Sequence, residues 1–494
     1  KIERFYKYFM PCIGGFLGGL SVSNEFWIIL MPISLSVLWS GFNEKTSNFF
    51  WGFFFILTSH YWLIYLHPLT WLGYTWLASL IISLSILLIC AIIGGGLISL
   101  WGLIGKRLFL RKYLFLHANY QIFIKVIFLS ALWAFGELIL KQTPFFWIGI
   151  GESLVPGDLY LSGLARWFGA SGLCMIQLLI GFWIFFIYER WRQKFKFKGF
   201  LYFGLVTIVF LHLVGAFLII PNNKANSFPV ALWQTNIPTR EKLYVSNHIM
   251  SKKLINAQKE ALSQNAKLLI TPEGTLNSNF KMKSPSLINT LAGGFRISKD
   301  HLQSSLLLFR EGDYSYSNFI DKNRLVPLGE KLPKIINRFS VGFSSIGGLQ
   351  SGEDSRYFNW DKTPPLAIAI CYEISDGLKI RKAIKLGSEL IISIANLDPY
   401  PGKIQKQFIS LATIRSIENN RDNVLVSNTG PSGLISSYGK ISYLLNSSEE
   451  KIYTVNPNFY KQKTMYNNLG EKPLLMLLIL LIPINLKIIP RSNN

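Results

Sequence analysis

Three polar residues stand where short apolar runs end. Glu273 comes just after "LLIT" (268–271), Lys322 directly after "SNFID" (317–321) and Cys371 directly after "LAIAI" (366–370). Together they could carry out acyl transfer. A thiol near neutral pH is only a few per cent thiolate, so a nucleophilic cysteine needs an adjacent base. Histidine is the usual base, but the polar half of the chain has only His248, in an expected helix, and His301, in a polar turn. Glu273 is the better placed base, and Lys322 can then stabilise the oxyanion formed when the thiolate attacks a carbonyl. Each residue also has a plainer explanation: Cys371 as a small core hydrophobe, Glu273 as a turn cap, Lys322 as a surface charge. Three coincidences at strand ends are harder to accept than one. The other cysteines, Cys12, Cys90 and Cys174, lie in long hydrophobic segments, and no CxxC or Cys/His cluster surrounds Cys371, so neither a disulfide nor a structural zinc site is expected there.

The elements that must position these residues alternate strand and helix. "FPVALWQTN", "AKLLITPEG", "SSLLLFREG", "SYSNFID", "PLAIAICYE", "ELIISIAN", "NVLVSNTG" and "GLISSYGK" read as strands. Helices are expected over 240–264, 286–298, 376–386 and 403–420. Residues 228–459 thus form an α/β domain, in which ligands gather at the carboxyl ends of strands.

The remainder of the 494 residues accounts for a composition that is 50% hydrophobic and 15% aromatic. Apolar stretches able to cross a bilayer, at about 20 residues each, fall near 8–22, 25–42, 49–66, 72–104, 121–140, 159–188 and 200–220. The fourth has room for a kink at Gly94-Gly95-Gly96. An eighth stretch lies within 470–490. Residues 1–222 therefore read as a membrane domain with seven spans. Lys106, Arg107, Arg111 and Lys112, and then Arg190, Arg192, Lys194, Lys196 and Lys198, follow even-numbered spans, while the alternate loops hold only Lys141. By the positive-inside rule the amino terminus is cytoplasmic and the 228–459 domain lies outside. No cleaved signal peptide is expected, since the first span leads straight into the second. The net charge of +23 is accounted for largely by those loops and by scattered lysines, so a nucleic-acid partner is not expected, and a solvated or lipid-facing role for the rest fits better.

"TPEG" (271–274), "DKNRLVPLGE" (321–330), "CYE" (371–373) and "SNTGPSGLISSYGK" (427–440) resemble motifs of the nitrilase (carbon-nitrogen hydrolase) superfamily and, within it, of the apolipoprotein N-acyltransferase family. The K-x-x-L-V-P-x-G-E stretch is the most specific. "QTPFFWIGIG" (142–151) gives a looser likeness in the membrane part. The resemblance implies a polytopic α-helical membrane protein of about eight transmembrane helices, with an extracytoplasmic α/β/β/α nitrilase-like sandwich. It implies Glu273 as general base, Lys322 as oxyanion lysine, Cys371 as nucleophile, Glu330 as a supporting carboxylate, and Tyr372 and Glu373 as substrate-binding residues. The partners implied are a phospholipid acyl donor and a diacylglyceryl apolipoprotein acceptor, at the periplasmic face of a bacterial inner membrane, with no cofactor and no metal; a monomer is expected. The chain departs from the family pattern at Leu328, where Phe is usual, at Leu243 beside Tyr244, where Trp is frequent, and at "NLDPY" (Asn396 to Tyr400), where N-D-x-W-F is usual. The departures bear on lipid contacts and acyl preference. Two rival readings remain. One is a tethered amidase, for which eight spans are superfluous. The other is a transporter or receptor, for which Glu137 is the main ionisable group in the spans, with Arg166 near the outer end of the sixth.

Overall fold

The computed structural model describes residues 8–42, 44–70, 73–108, 119–221, 226–242, 245–327, 329–331, 348–360, 364–398, 400 and 402–488. Arg111, Lys112, Leu243, Tyr244, Leu328 and Pro399, all singled out in the sequence, lie outside the described residues. Contacts divide the chain into two units. One comprises Lys1–Leu140, Ile148–Leu218 and Leu469–Asn494, and the other Lys141–Trp147 with Ile219–Asn468.

The first unit is helical. Its described helices are α1 (Met10–Ser21), α2 (Leu30–Ser40), α3 (Lys45–Ser59), α4 (Trp76–Leu108), α5 (Asn119–Gln142), α6 (Leu159–Ser162), α7 (Ala165–Arg192), α8 (Lys198–Leu218) and, close to the carboxyl end, Lys472–Ile488. Four of them, α4, α5, α7 and α8, are long and apolar enough to cross a membrane, and α1, α2 and Lys472–Asn485 are shorter apolar helices. Two expectations need correction. Gly94-Gly95-Gly96 does not kink α4, which runs unbroken for 33 residues. These glycines instead let α3 approach: a Cβ at Gly95 would stand 2.7 Å from the Phe49 carbonyl oxygen, the close packing of small residues common between membrane helices. In the same way, a Cβ on Gly15 of α1 would come within 2.1 Å of the Trp51 oxygen. The 159–188 stretch is not one helix, because α6 precedes α7 and α7 itself breaks at Gly169, with φ 64° and ψ −172°. Glu137 accepts hydrogen bonds from Trp133 Nε1 (3.0 Å), one turn earlier on the same helix, and from the Ile150 amide (3.1 Å), so it ties α5 to the loop at Ile150.

The second unit is built on two six-stranded sheets. Sheet I has the order β13-β2-β3-β4-β5-β6 and sheet II the order β12-β11-β10-β9-β8-β7. Sheet I contains β2 (Val230–Gln234), β3 (Leu268–Ile270), β4 (Thr290–Ser298), β5 (His301–Phe309), β6 (Asn318–Asp321) and β13 (Lys451–Val455). Sheet II contains β7 (Tyr357–Phe358), β8 (Leu366–Ile370), β9 (Leu390–Ala395), β10 (Asn423–Ser427), β11 (Gly433–Ile435) and β12 (Ile441–Leu444). The runs β2, β3, β8, β9 and β10 are buried at every position, because parallel strands covered on both faces can be apolar throughout. Leu232, Ile270, Leu306, Ile368, Ile392 and Val424, drawn from both sheets, share one core between them. The helix Asn247–Ser263 covers the outer face of sheet I through Met250, Leu254, Ala257 and Ala261. Gly377–Lys385 and Gly402–Asn419 pack against sheet II.

The helix expected over 286–298 is a strand. Thr290–Ser298 pairs antiparallel with His301–Phe309 in continuous register from Thr290↔Phe309 to Ser298↔His301. Lys299 (φ 49°) and Asp300 (φ 63°) form the two-residue link, and positive φ at both positions is the geometry that tight hairpins favour.

Candidate active site

Each of the three residues sits on a backbone held in place by its neighbours. Glu273 lies in the turn after β3, where the next residue, Gly274, has φ +67°. The turn is pinned by Thr275 Oγ1 donating to the Pro272 oxygen (2.7 Å) and by the Gly293 amide donating to Thr271 Oγ1 (3.2 Å). Strand β4 passes so close that a Cβ on Gly293 would stand 2.1 Å from the Pro272 oxygen. Lys322 follows β6, and its amide donates to the Ser304 oxygen of β5 (2.8 Å). Cys371 follows β8 and opens the 3-10 turn Cys371–Ser375 with φ +53°. A non-glycine residue at such a φ is strained, and strain of this kind gathers at functional sites.

Their side chains converge. Lys322 is wholly buried, and its Nζ donates to Glu273 Oε1 (2.8 Å) and Glu330 Oε1 (2.7 Å). The other oxygen of Glu330 accepts from the Val326 amide (2.8 Å), closing the 326–330 loop. Glu273 also accepts from Ser304 Oγ (3.3 Å) and the Asn396 amide (3.2 Å), and its charge acts on the neighbouring Cys371 thiol. Burial pushes the thiol well above its ordinary range, and the Glu273 carboxylate adds to the effect while Lys322 opposes it. Burial works against charge on Lys322, yet Glu273 and Glu330 outweigh it and hold the ammonium well above its usual value. Burial raises Glu330 against the pull of Lys322. At rest, therefore, the site holds a neutral thiol beside a buried ammonium and its carboxylates. Such an arrangement can deprotonate the thiol as it attacks, rather than storing a thiolate.

Tyr372 and Glu373 occupy the turn that follows the nucleophile. Glu373 is buried and accepts from the amides of Ile370 (2.9 Å), Asn323 (2.6 Å) and Arg324 (3.2 Å), and from Arg356 Nη1 (2.8 and 3.0 Å). It thereby ties the end of β8 to the segment after Lys322. The Tyr372 hydroxyl is 2.7 Å from the Pro144 oxygen and 2.9 Å from that of Phe146. Its ring stacks on Trp147 at 5.4 Å between centroids and 8° between planes.

Sequence reasoning missed four contributors. Ser304 lies inside a strand and carries no signal of its own. Arg356 sits in an irregular stretch. Asn396 and Asn428 follow β9 and β10, the same carboxyl-end position that flagged the other three, and could have been found by that rule. Asn428 stitches the sheets together: Thr235 Oγ1 donates to Asn428 Oδ1 (2.7 Å), and Asn428 Nδ2 donates to the oxygens of Ile237 (2.7 Å) and Asn396 (3.1 Å). Among the described residues no cluster of His, Cys, Asp and Glu could hold a metal ion.

No family model matches the chain. Among known proteins it is 58% identical over 484 residues, covering 98% of this chain and 97% of the relative, to the apolipoprotein N-acyltransferase of Prochlorococcus marinus subsp. pastoris. It is 41% identical over 481 residues, 97% of each chain, to the apolipoprotein N-acyltransferase of another Prochlorococcus marinus strain. Among solved structures, Saccharomyces cerevisiae Nit3, a member of branch 10 of the nitrilase superfamily, matches 47% of this chain and 90% of its own at 17% identity and a TM-score of 0.36. With identity of this order along nearly its whole length, the chain, a membrane protein bearing a two-sheet α/β domain, is an acyltransferase and belongs to the apolipoprotein N-acyltransferase family.

Proposed function

We propose that this chain moves an acyl group from a membrane phospholipid to the α-amino group of the S-diacylglyceryl cysteine that begins an apolipoprotein, by way of a thioester on Cys371. The observation that carries the mechanism is the meeting of Glu273, Lys322 and Cys371 at the ends of strands from two sheets, with Lys322 Nζ hydrogen-bonded to Glu273 and the thiol within the field of both. In the first half-reaction Glu273 takes the thiol proton as sulfur attacks the ester carbonyl. An ammonium has three N–H donors. Two on Lys322 are directed at Glu273 and Glu330, and the third is the donor for the oxyanion. Collapse breaks the carbon–oxygen bond, and the departing alkoxide of the lysophospholipid takes the proton from Glu273. In the second half-reaction the lipoprotein amine attacks the thioester, Glu273 accepts the amine proton, the carbon–sulfur bond breaks, and the departing thiolate takes the proton from Glu273, so the thiol is restored.

Glu330 then acts as the fixed counter-charge that keeps Lys322 ionised. Glu373, with its oxygens engaged by amides and Arg356, is better read as a positioning group than as the substrate contact expected from sequence. The same holds for the Tyr372 hydroxyl.

The membrane arrangement we propose has eight crossings, with the catalytic unit on the periplasmic side of an inner membrane. It is supported by four long apolar helices together with the shorter apolar helices α1, α2 and Lys472–Asn485, and by the basic final turns of α4 (Lys106, Arg107) and α7 (Arg190, Arg192); α3 (Lys45–Ser59) would supply the remaining crossing. The amino-terminal peptide of one lipoprotein, weighed by mass spectrometry from cells with and without this chain, tests the function. A third acyl chain that depends on the chain is expected. A peptide of the same mass in both would refute acyl transfer, and release of free fatty acid without peptide acylation would favour the amidase-type hydrolase.

A further inference from the structure

The closing carbonyls of an α-helix have no partner within the helix and are commonly met by a cation. Lys141 and Gln142 close α5, and the segment Lys141–Trp147 belongs by its contacts to the catalytic unit. Arg324 meets one of these carbonyls and two more in the segment that follows. Its Nη1 donates to the Lys141 oxygen (2.6 Å), and its Nη2 to those of Thr143 (2.8 Å) and Phe146 (3.1 Å). The side chain is buried, its guanidinium lies 5.0 Å from the centre of the Tyr372 ring, and Nη1 is 3.6 Å from Asp376 Oδ2. Its own amide donates to Glu373.

Arg324 thus touches three things at once: the segment that bears Lys322 two residues earlier, the turn that bears Cys371, and the 141–147 segment. Tyr372 reaches the same segment from the other side, and the two share one acceptor, the Phe146 oxygen. Trp147 completes the layer, stacked on Tyr372, with its Nε1 donating to Gln407 (2.9 Å). A planar fork can serve three diverging carbonyls, whereas an ammonium on a flexible stem cannot hold all three in place.

We propose that Arg324 is a positioning residue for the nucleophile, and that it works by clamping the 141–147 segment against Tyr372 so that the strained turn at Cys371 keeps its thiol facing Glu273 and Lys322. The proposal rests on the acyl-transfer reading for its first readout. The full-length chain in phospholipid micelles is mixed with substrate lipid, and single-turnover thioester formation is followed. Arg324→Ala should lower the rate constant about tenfold to a hundredfold, the size of effect that a small misplacement produces, with the half-saturating lipid concentration little changed. Added methylguanidinium should restore part of the rate. Arg324→Lys should remain slow. Because Arg324 and Tyr372 hold the same carbonyl, Arg324→Ala with Tyr372→Phe should be hardly slower than the slower single variant.

Alkylation of Cys371 by iodoacetamide, with Cys371→Ser as the blank, gives a second readout that needs no lipid chemistry, and it should follow the same pattern. If Arg324→Ala does not fold, Arg324→Lys paired with Tyr372→Phe carries the same comparison. Effects that multiply, a loss confined to lipid affinity, or no response to methylguanidinium would overturn the clamp. Failure of the wild-type chain to form a thioester would instead overturn the acyl-transfer reading, leaving the clamp to be judged by alkylation alone.

Discussion

Replacing Lys322 with Met removes the one ammonium that lies between Glu273 and Glu330, at 2.8 and 2.7 Å from their oxygens. Two losses follow. The oxyanion loses a donor, which costs about a hundredfold to a thousandfold in rate. The two carboxylates also face each other without their counter-charge. At about 5 Å and an effective dielectric of about 20, like charges repel by about 3 kcal/mol, equivalent to about two pKa units. The pair therefore binds a proton more readily than with the ammonium in place, and Glu273 becomes a poorer base at neutral pH. Since the affected carboxylate pKa rises, this second loss is greatest at low pH and fades as pH increases. Lys322→Met should thus be slower at neutral pH than donor loss alone implies, and should recover in part toward alkaline pH. Adding Glu330→Gln removes the repulsion, so the double variant should show a flatter pH profile while keeping the oxyanion deficit. The assay is single-turnover thioester formation from phospholipid across neutral to alkaline pH for the native chain and both variants. A double variant restored to nearly native rate would refute the reasoning, since Lys322 would then be only a neutralising charge. A single variant with the native pH profile would show that Glu330 and Glu273 are not coupled.

The remaining expectations are briefer. Cys371→Ala and Cys371→Ser should both insert in membrane and accumulate no acyl-enzyme, as read by intact-protein mass. Because burial and Glu273 hold the Cys371 thiol above its ordinary value, the rate of its alkylation should still be climbing at pH values beyond the free-thiol pKa of about 8.5; a plateau at or below that value would contradict the assignment. Glu373→Ala should destabilise the catalytic unit by about 3–5 kcal/mol, because it strands the buried Arg356 guanidinium, measurable as a lowered unfolding midpoint in detergent. A reporter active only outside the cytoplasm should work when fused after Asn226 and stay silent when fused after Lys196.

The site was legible in the sequence where chemistry coincided with punctuation. Glu273, Lys322 and Cys371 each break an apolar run at the point where an α/β sheet presents its ligands, and the strands before Glu273 and Cys371 are short and fully buried. Where the signal depended on backbone geometry, it was lost. Thr290–Ser298 contains Gly293 and Gly294 and ends at "KD", a hairpin link without the Asn-Gly or Asp-Gly pair that usually announces one, so a strand was read as a helix. Gly293 is needed because β4 skims the Glu273 turn, and nothing local in the sequence says so. The triplet at Gly94 suggests a kink, whereas it serves the approach of α3. Arg324 and Glu373 were visible as residues in motifs. Their partners lie far along the chain, Lys141–Trp147 for one and Arg356 for the other, and spacing alone does not reveal contacts of that range.

The two sheets contribute separately to the chemistry: base and lysine come from sheet I, and the thiol from sheet II. A nascent chain can complete the first sheet's inner strands, up to Asp321, before Cys371 has been made. Until the second sheet docks, the thiol has neither its base nor the lysine beside it, and it is no more reactive than any free cysteine. Reactivity toward lipid esters is thus withheld from incomplete or half-folded chains by the order of assembly. A lesion that loosens the seam between the sheets, such as loss of the Asn428 side chain, should silence the enzyme at temperatures where its strands and helices are still intact.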